Sequence, residues 1–330
     1  PDPREARQIL QRRGIALITG DPVVEIDRVK QTVTTRGGKT AAYDRLLITT
    51  GSNPFVIPVP GHDKKGVMGY RDIADVEAML EAASRHKRAV VIGGGLLGLE
   101  AAYGLARQGM QVTVVHLLDS LMERQLDKTA SAMLKVSLEE RGMNFRMEAQ
   151  TAEILGEDHV SGVRFADGSE VTADLVVMAV GIKPNIALAQ NAGLHCERGI
   201  VVNDTLQTFD PRIYAVGECV QHRGALYGLV APLFEQAKVC ASHLAKLGYG
   251  RYEGSVTSTK LKVTGVDLFS AGEFNEGDVV DNINTTAQAA SDMMIDLRTL
   301  VSSNRRTVSE TLANLRETSA NMNQFSRTVK

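Results

Sequence analysis

The sequence predicts an α/β fold built on buried parallel strands with a helical C-terminal extension, and three observations carry that expectation. Ala89, Val90, Val91 and Ile92 form an apolar run of the kind a strand buried on both faces requires. Gly93, Gly95 and Gly98 follow at the spacing G-x-G-x-x-G, and an alanine-rich helical pattern then runs to Gly109, ahead of a second β-branched run at 112–115. From Ile283 to Val329, apolar residues and alanines recur at steps of four and three over about six heptads, the signature of a long amphipathic helix or coiled coil.

Taken in order, residues 4–13 read as a helix stopped by Gly14, and 15–18 as a strand after it. Runs at 23–26 and 31–35 look like strands of a small sheet, with Gly37-Gly38 as a turn. Leu46-Leu47-Ile48 is a short strand ending in Thr49-Thr50-Gly51-Ser52, and the proline-rich 54–60 stretch is an extended linker. Residues 72–84 read as a helix with apolar positions at Ile73, Val76, Met79 and Leu80. The 88–118 strand–turn–helix–strand unit follows, then a helix over 127–141 and a strand near 143–147. Asp167-Gly168 is a hairpin turn between 160–165 and 170–172. Residues 173–181 form another buried strand running into a glycine turn; 200–202 and 213–216 are further strands, and a helix spans 232–247, with Pro232 in its first turn.

Composition narrows the function classes. The 330 residues allow two domains of ordinary size, and 43% hydrophobic with 23% charged residues suits a water-soluble chain with sizeable cores. A net charge of −2 gives no electrostatic reason to expect a nucleic acid or an anionic membrane as partner. No apolar run reaches the roughly 20 residues of a membrane span, and the charged N-terminus lacks the apolar core of a secretory signal, so a cytoplasmic location is expected. Cys196, Cys219 and Cys240 are far apart and the seven histidines are scattered, so no metal site or sequence-local redox disulfide is expected.

The 88–118 unit has the context that a dinucleotide-binding turn needs. Gly93 allows the tight turn, Gly95 lets backbone approach a pyrophosphate, and Gly98 lets the helix lie close to the strand. The helix N-terminus adds free N–H groups and a positive dipole end. An NAD-preferring unit ends its second strand in Asp or Glu; here VTVVH ends in His116, the nearest acid is Asp119, and Arg124 is some distance on.

Four motifs occur here in the order found in FAD-dependent pyridine nucleotide-disulfide oxidoreductases: YDRLLITTGSNP, GGGLLGLE, ADLVVMAVGIKPN and IYAVGEC. Further stretches, VVHLLDSLMERQLD, YGLVAPLFEQAKVC and YEGSVTSTKLKVTGVDLFSAGEF among them, resemble the large-subunit family of assimilatory NAD(P)H nitrite reductases, over about residues 4–274. The resemblance implies two interleaved Rossmann-like nucleotide-binding domains. The FAD-binding domain would comprise 1–84 and 196–250, the NAD(P)H-binding domain 85–195, and 251–274 would begin an interface region.

It also implies the site residues. Gly93, Gly95 and Gly98 would hold the pyrophosphate of NAD(P)H, Glu100 would lie near the nicotinamide, Asp119 is the candidate ribose carboxylate, and Gly181 would close a turn against the dinucleotide. Thr50 and Gly51 would border the flavin nucleotide. Gly217 and Glu218 stand where the wider family has Gly-Asp on the FAD ribityl–pyrophosphate region, a small departure because either carboxylate accepts a hydroxyl hydrogen bond. Val230 and Ala231 would precede a helix whose N-terminus points at the flavin ring. No side-chain nucleophile is implied. NADH is slightly favoured over NADPH, through the resemblance and the lack of an arginine beside His116.

The family's first strand–glycine turn–helix, which holds the ADP part of FAD, has no counterpart ahead of residue 88, so the FAD domain is expected to be incomplete. No cysteine cluster could ligate iron–sulfur or sirohaem centres, which leaves the entry half-reaction: hydride from NAD(P)H to FAD, then electrons to an unidentified acceptor. Residues 275–330 resemble instead the helical portion of mammalian-cell-entry (MCE) type lipid-transport proteins, which implies self-association or docking, and the meeting of two families at 274/275 implies a chimeric or misassembled reading frame or an engineered fusion. The alternatives are a non-catalytic nicotinamide-nucleotide binding fragment, or an interaction protein acting through the tail.

Overall fold

Parallel strands without polar positions must be covered on both faces, and the architecture is organised by that demand. The structure, a computed structural model, describes residues 8–271 apart from positions 11, 249, 264 and 267. These lie in one compact unit, Pro1–Glu273. The helical tail expected at 275–330 falls outside the described residues.

After helical residues at 8–10 and 12, the described chain forms an antiparallel meander of β1 (Val23–Asp27), β2 (Thr32–Thr35) and β3 (Thr40–Ala42). The strand expected at 15–18 does not form: Ile15, Leu17 and Ile18 are about half exposed, and no described strand offers that segment a hydrogen-bonded ladder. β4 (Leu46–Ile48) leads into β5 (Ser52–Pro54), then β6 (Val67–Gly69) and helix α1 (Ile73–Arg85). Asp72 caps α1 through a reciprocal capping box with Asp75. Of the apolar positions expected to face inward, only Met79 is buried; Ala83 joins it, while Ile73, Val76 and Leu80 are exposed.

The central unit is β7 (Arg88–Ile92), α2 (Leu96–Arg107), β8 (Gln111–Val115), α3 (Lys128–Glu139) and β9 (Met143–Arg146). It is followed by an antiparallel sheet of β10 (Thr151–Leu155), β11 (Gly162–Phe165) and β12 (Glu170–Thr172), and then by β13 (Leu175–Met178). Only two strands were expected around Asp167-Gly168; β10 is the third. The five-stranded sheet has the order β6-β13-β7-β8-β9, parallel throughout.

The period-two alternation of strands explains its two cores. Ala89, Val91, Leu175 and Val177 pack with Leu99, Leu105, Leu134 and Leu138 of the helices. Val90, Ile92, Val176 and Met178 pack on the opposite face with Ile154, Val163 and Phe165 of the antiparallel sheet. Helices thus cover one face and a second sheet the other. Each such fully buried Val, Leu or Ile contributes about 1.5–3 kcal/mol relative to exposure.

β14 (Ile182–Pro184) returns antiparallel to β5, and α4 (Ala187–Asn191) follows. The chain then re-enters the first core through β15 (Ile200–Val202), β16 (Ile213–Ala215), β17 (Val220–His222), β18 (Ala225–Leu226) and α5 (Val230–Leu244). β16 pairs parallel with β4, and Ile48, Ile213, Ala215, Val220 and Cys240 share one buried cluster. The expected helix at 232–247 therefore begins two residues earlier, so Val230 and Ala231 are its first residues and Pro232 is the third, where a missing N–H still costs nothing. The last described elements are β19 (Ser258–Lys260) and β20 (Phe269–Ala271), which pair antiparallel. Among the described residues no helix is long and apolar enough to cross a membrane.

Asp174 fastens the start of β13 to the start of β7. Its carboxylate accepts from Arg88 Nη2 (2.6 Å), Arg88 Nε (3.2 Å) and the Arg88 N–H (3.0 Å), and its own N–H donates to the Arg88 carbonyl (2.9 Å). The Arg88 hydrogen bonds lower the carboxyl from 3.8 to about 2. A folded pKa below the unfolded one means this stabilisation is complete above about pH 4 and is lost as pH falls through about 2. Asp174→Asn should cost about 1–2 kcal/mol at pH 7, the partly exposed Arg88 reducing the full linkage value. Urea unfolding along a pH series should show the gap from wild type closing between about pH 4 and 2.

Candidate nucleotide-binding site

The chain runs from β7 through β8 to β9 on one side, then returns to place β13 on the other side of β7. That reversal makes β7 and β13 the switch point of the sheet, the position where open α/β sheets leave a crevice beyond their C-terminal strand ends. Gly93–Gly98 follows β7, and Gly181 lies just beyond β13.

The three fingerprint glycines separate by what surrounds them. Gly93 has φ +122°, and a Cβ on it would sit 2.3 Å from the Ala179 carbonyl oxygen. A Cβ on Gly98 would sit 2.0 Å from the Gly93 carbonyl oxygen. These two glycines let α2 and β13 close on the turn. Gly95 is different: nothing lies within 4 Å of its Cβ position, and as N-cap of α2 it has no side chain over the helix end. The N-terminus of α2 therefore carries no side-chain cap, and an anion approaching it would be stabilised by the helix dipole.

A second strand-end edge faces the first. β4 and β16 are parallel in register Ile48↔Ala215, so Thr50-Gly51 and Gly217-Glu218 emerge side by side. Gly51 (φ +65°), Gly181 (φ +111°) and Gly217 (φ +97°) all border open space within 4 Å. Thr50 Oγ1 donates to the Asn185 carbonyl (2.6 Å), while the Asn185 N–H donates to the Gly51 carbonyl (2.9 Å), which fixes this turn to the β14 end. Gln236 on α5 accepts from the Gly217 N–H (2.9 Å). Its Nε2 is buried without a hydrogen-bond partner among the described residues. Val230 and Phe234 on the first turns of α5 are exposed.

Arg71 connects the two edges. It follows β6 in the five-stranded sheet and donates to both oxygens of Glu218, Nη1 reaching Oε1 at 3.4 Å and Nη2 bonding Oε2 more closely. Ser52 Oγ also donates to Oε2 (2.8 Å). Neither Arg71 nor Ser52 stood out in the sequence, where each is an ordinary residue beside a turn. Glu100, on the first turns of α2, accepts from the Lys262 N–H (3.0 Å). Tyr70 lies close enough that burial, then the Glu100 charge, raises its phenol above the usual range.

At the end of β8, the Gly94 N–H donates to His116 Nδ1 (3.0 Å). The imidazole is thereby set to carry its proton on Nε2, which faces the Glu123 carboxylate at 3.4 Å. The His116 ring at that distance, close but without a hydrogen bond among the described residues, lowers the Glu123 carboxyl. Asp119 instead pairs with Lys128 (3.1 Å), which holds its carboxyl low. All three cysteines are free thiols; burial raises each, Cys240 to about 11, so none is a ready thiolate.

Comparison with known proteins agrees with this geometry. Residues 2–243 match the family described as pyridine nucleotide-disulphide oxidoreductase, and the chain belongs to it. It is 55% identical over 268 residues to an NAD(P)H nitrite reductase of Bacillus subtilis (strain 168), covering 81% of this chain and 33% of that protein. Similarity to the assimilatory nitrate reductase electron transfer subunit of the same organism is 48% over 272 residues, covering 82% and 35%. The chain thus spans about a third of the length of these curated relatives. Among solved structures, an NAD-dependent persulfide reductase from A. fulgidus superposes with a TM-score of 0.78 at 30% identity, covering 82% of this chain and 52% of that one. The ferredoxin reductase of Rhodopseudomonas palustris gives 0.72 at 29%, covering 76% and 63%.

The contrast between the glycines is measurable. Gly98→Ala should lower stability by about 1–3 kcal/mol, because backbone oxygen cannot yield as a flexible side chain does. Gly95→Ala should leave it within about 1 kcal/mol of wild type. Thermal unfolding of both variants beside wild type checks the difference.

Proposed function

We propose that this chain is the nucleotide-handling part of an NAD(P)H-dependent flavoprotein oxidoreductase, with an NAD(P)H-binding region at 85–195. An FAD-binding region at 1–84 and 196–250, and an interface region beginning at 251–274, complete the reading. The observation that carries it is the pair of facing strand-end edges, both lined by glycines that border open space and joined through Arg71 and Glu218.

An extended dinucleotide fits each edge. At the first, the Gly95 backbone and the α2 N-terminus would hold the pyrophosphate, Gly181 would flank the bound chain, and Glu100 would stand on the nicotinamide side. At the second, Thr50, Gly51, Gly217 and Glu218 would hold FAD, with Glu218 accepting a hydroxyl hydrogen bond. The orphaned Gln236 Nε2 offers one more buried donor beside Gly217. Val230 and Ala231 present the N-terminus of α5, whose dipole favours negative charge on a nearby ring. Bound FAD supplies a two-electron acceptor for the hydride of reduced nicotinamide and a donor of electrons to the next centre. The protein's part is to hold the two rings in contact and exclude water, with no thiol or other nucleophile engaged.

The names of the relatives support an acceptor in nitrite or nitrate reduction, and hence a place in nitrate assimilation. A nicotinamide-linked reaction and three unpaired cysteines favour the cytoplasm. The heptad pattern of 275–330 supports self-association or docking through that segment.

An absorbance spectrum of the purified full chain, after incubation with FAD and desalting, tests the reading. Retained flavin bands, with NADH oxidation by an artificial acceptor, are expected. Glu218→Ala should weaken flavin binding about tenfold, since Arg71 and Ser52 lose their shared acceptor along with the hydroxyl contact. A colourless protein that leaves NADH unoxidised would overturn the proposal.

A further inference from the structure

A Rossmann unit that prefers NADH carries a carboxylate at the end of its second strand, where it accepts the adenosine ribose hydroxyls and repels a 2′-phosphate. Here the residue after β8 (Gln111–Val115) is His116, which carries no carboxylate and whose Nδ1 is already taken by the Gly94 N–H. The chain nevertheless folds a carboxylate onto that position. Residues 117–126 turn back over the glycine loop: the Met122 N–H donates to the Gly94 carbonyl (3.0 Å), and the Leu121 N–H donates to Ser131 Oγ (2.6 Å). Leu121 and Met122 are fully buried, and Met122 takes a left-handed backbone (φ +52°), so the return is tightly held. It delivers Glu123 to 3.4 Å from His116 Nε2, with the Glu123 side chain 34% exposed and so open to a ligand.

We infer that Glu123, held by His116, is the residue that selects NADH over NADPH, doing from the return loop what a strand-end acid does elsewhere. The inference rests on the nicotinamide-nucleotide reading above and assigns the specificity of that same site. His116 is the positioning residue. Its Nδ1 is occupied by the Gly94 N–H, which turns Nε2 toward the Glu123 carboxylate at 3.4 Å. Asp119, the nearer acid in sequence, is turned to Lys128 and takes no part. Arg124 adjoins Glu123; with the carboxylate removed, it is left to attract a 2′-phosphate.

The experiment is a fluorescence titration of the full-length protein with NADH and with NADPH, which reads binding without turnover. Wild type should bind NADH about tenfold or more tightly than NADPH, the range of a charge-assisted hydrogen bond. Glu123→Gln should collapse that ratio to near unity, and Glu123→Arg should invert it. Asp119→Asn should leave it unchanged. The double variant His116→Glu/Glu123→Gln, which returns a carboxylate to the strand end, should restore the preference for NADH, and His116→Phe, which keeps Glu123 but removes the Nε2 beside it, should lower the ratio; a ratio unchanged in His116→Phe overturns the positioning role of His116. An unchanged ratio in both Glu123 variants, or a collapse in Asp119→Asn, overturns this assignment while leaving nucleotide binding standing. Wild-type protein that binds neither nucleotide overturns the assignment together with the reading beneath it.

Discussion

The contact on which the rest of the structure depends is backbone against backbone, where α2 crosses the end of β7. At Gly98 the space for a side chain is filled by the Gly93 carbonyl, and at Gly93 by the Ala179 carbonyl. Three elements, β7, α2 and the end of β13, therefore meet without side chains between them. Because they meet so closely, the N-terminus of α2 opens directly over the switch point of the sheet, and Gly95 is left facing space. Packing and access are divided among neighbouring glycines by a few ångströms.

From that junction the site extends through polar links rather than through the cores. The two hydrophobic clusters of the five-stranded sheet are separate from the cluster built on β4, β16 and α5. What brings the two strand-end edges together is the β5–β14 ribbon, the Thr50–Asn185 hydrogen bonds and the Arg71–Glu218 pair. A half-buried ion pair contributes little to stability by itself. Its larger effect is geometric: with Ser52 it fixes, at the strand-end edge, a carboxylate that would otherwise swing.

The elements themselves were largely legible in the sequence. The apolar run at 89–92, the G-x-G-x-x-G spacing and Asp167-Gly168 each specify backbone conformation within one short window, and each is found as expected. Failures came where a segment depends on a distant partner. Residues 15–18 have the composition of a strand but no ladder to join. β10 was missed because its alternation is weak, and it is held by pairing with β11. Ile73 and Leu80 have the apolar character of a buried face, yet Met79 and Ala83 are the positions that meet the sheet.

For the site, the sequence by itself determined the turns: which residues are glycine, where helix N-termini open, and that no local thiol pair exists. Only the tertiary structure decided which charges meet. Arg71 and Glu218 are 147 positions apart, and no local pattern predicts their pairing. His116 has an acid three residues away, yet the return loop presents the one seven residues away, because Met122 and Leu121 are buried beneath the glycine turn and carry Glu123 over it. Backbone conformation is set by short-range sterics and hydrogen bonding, which a few residues encode. Charge pairing is set by the path of the whole chain through its cores.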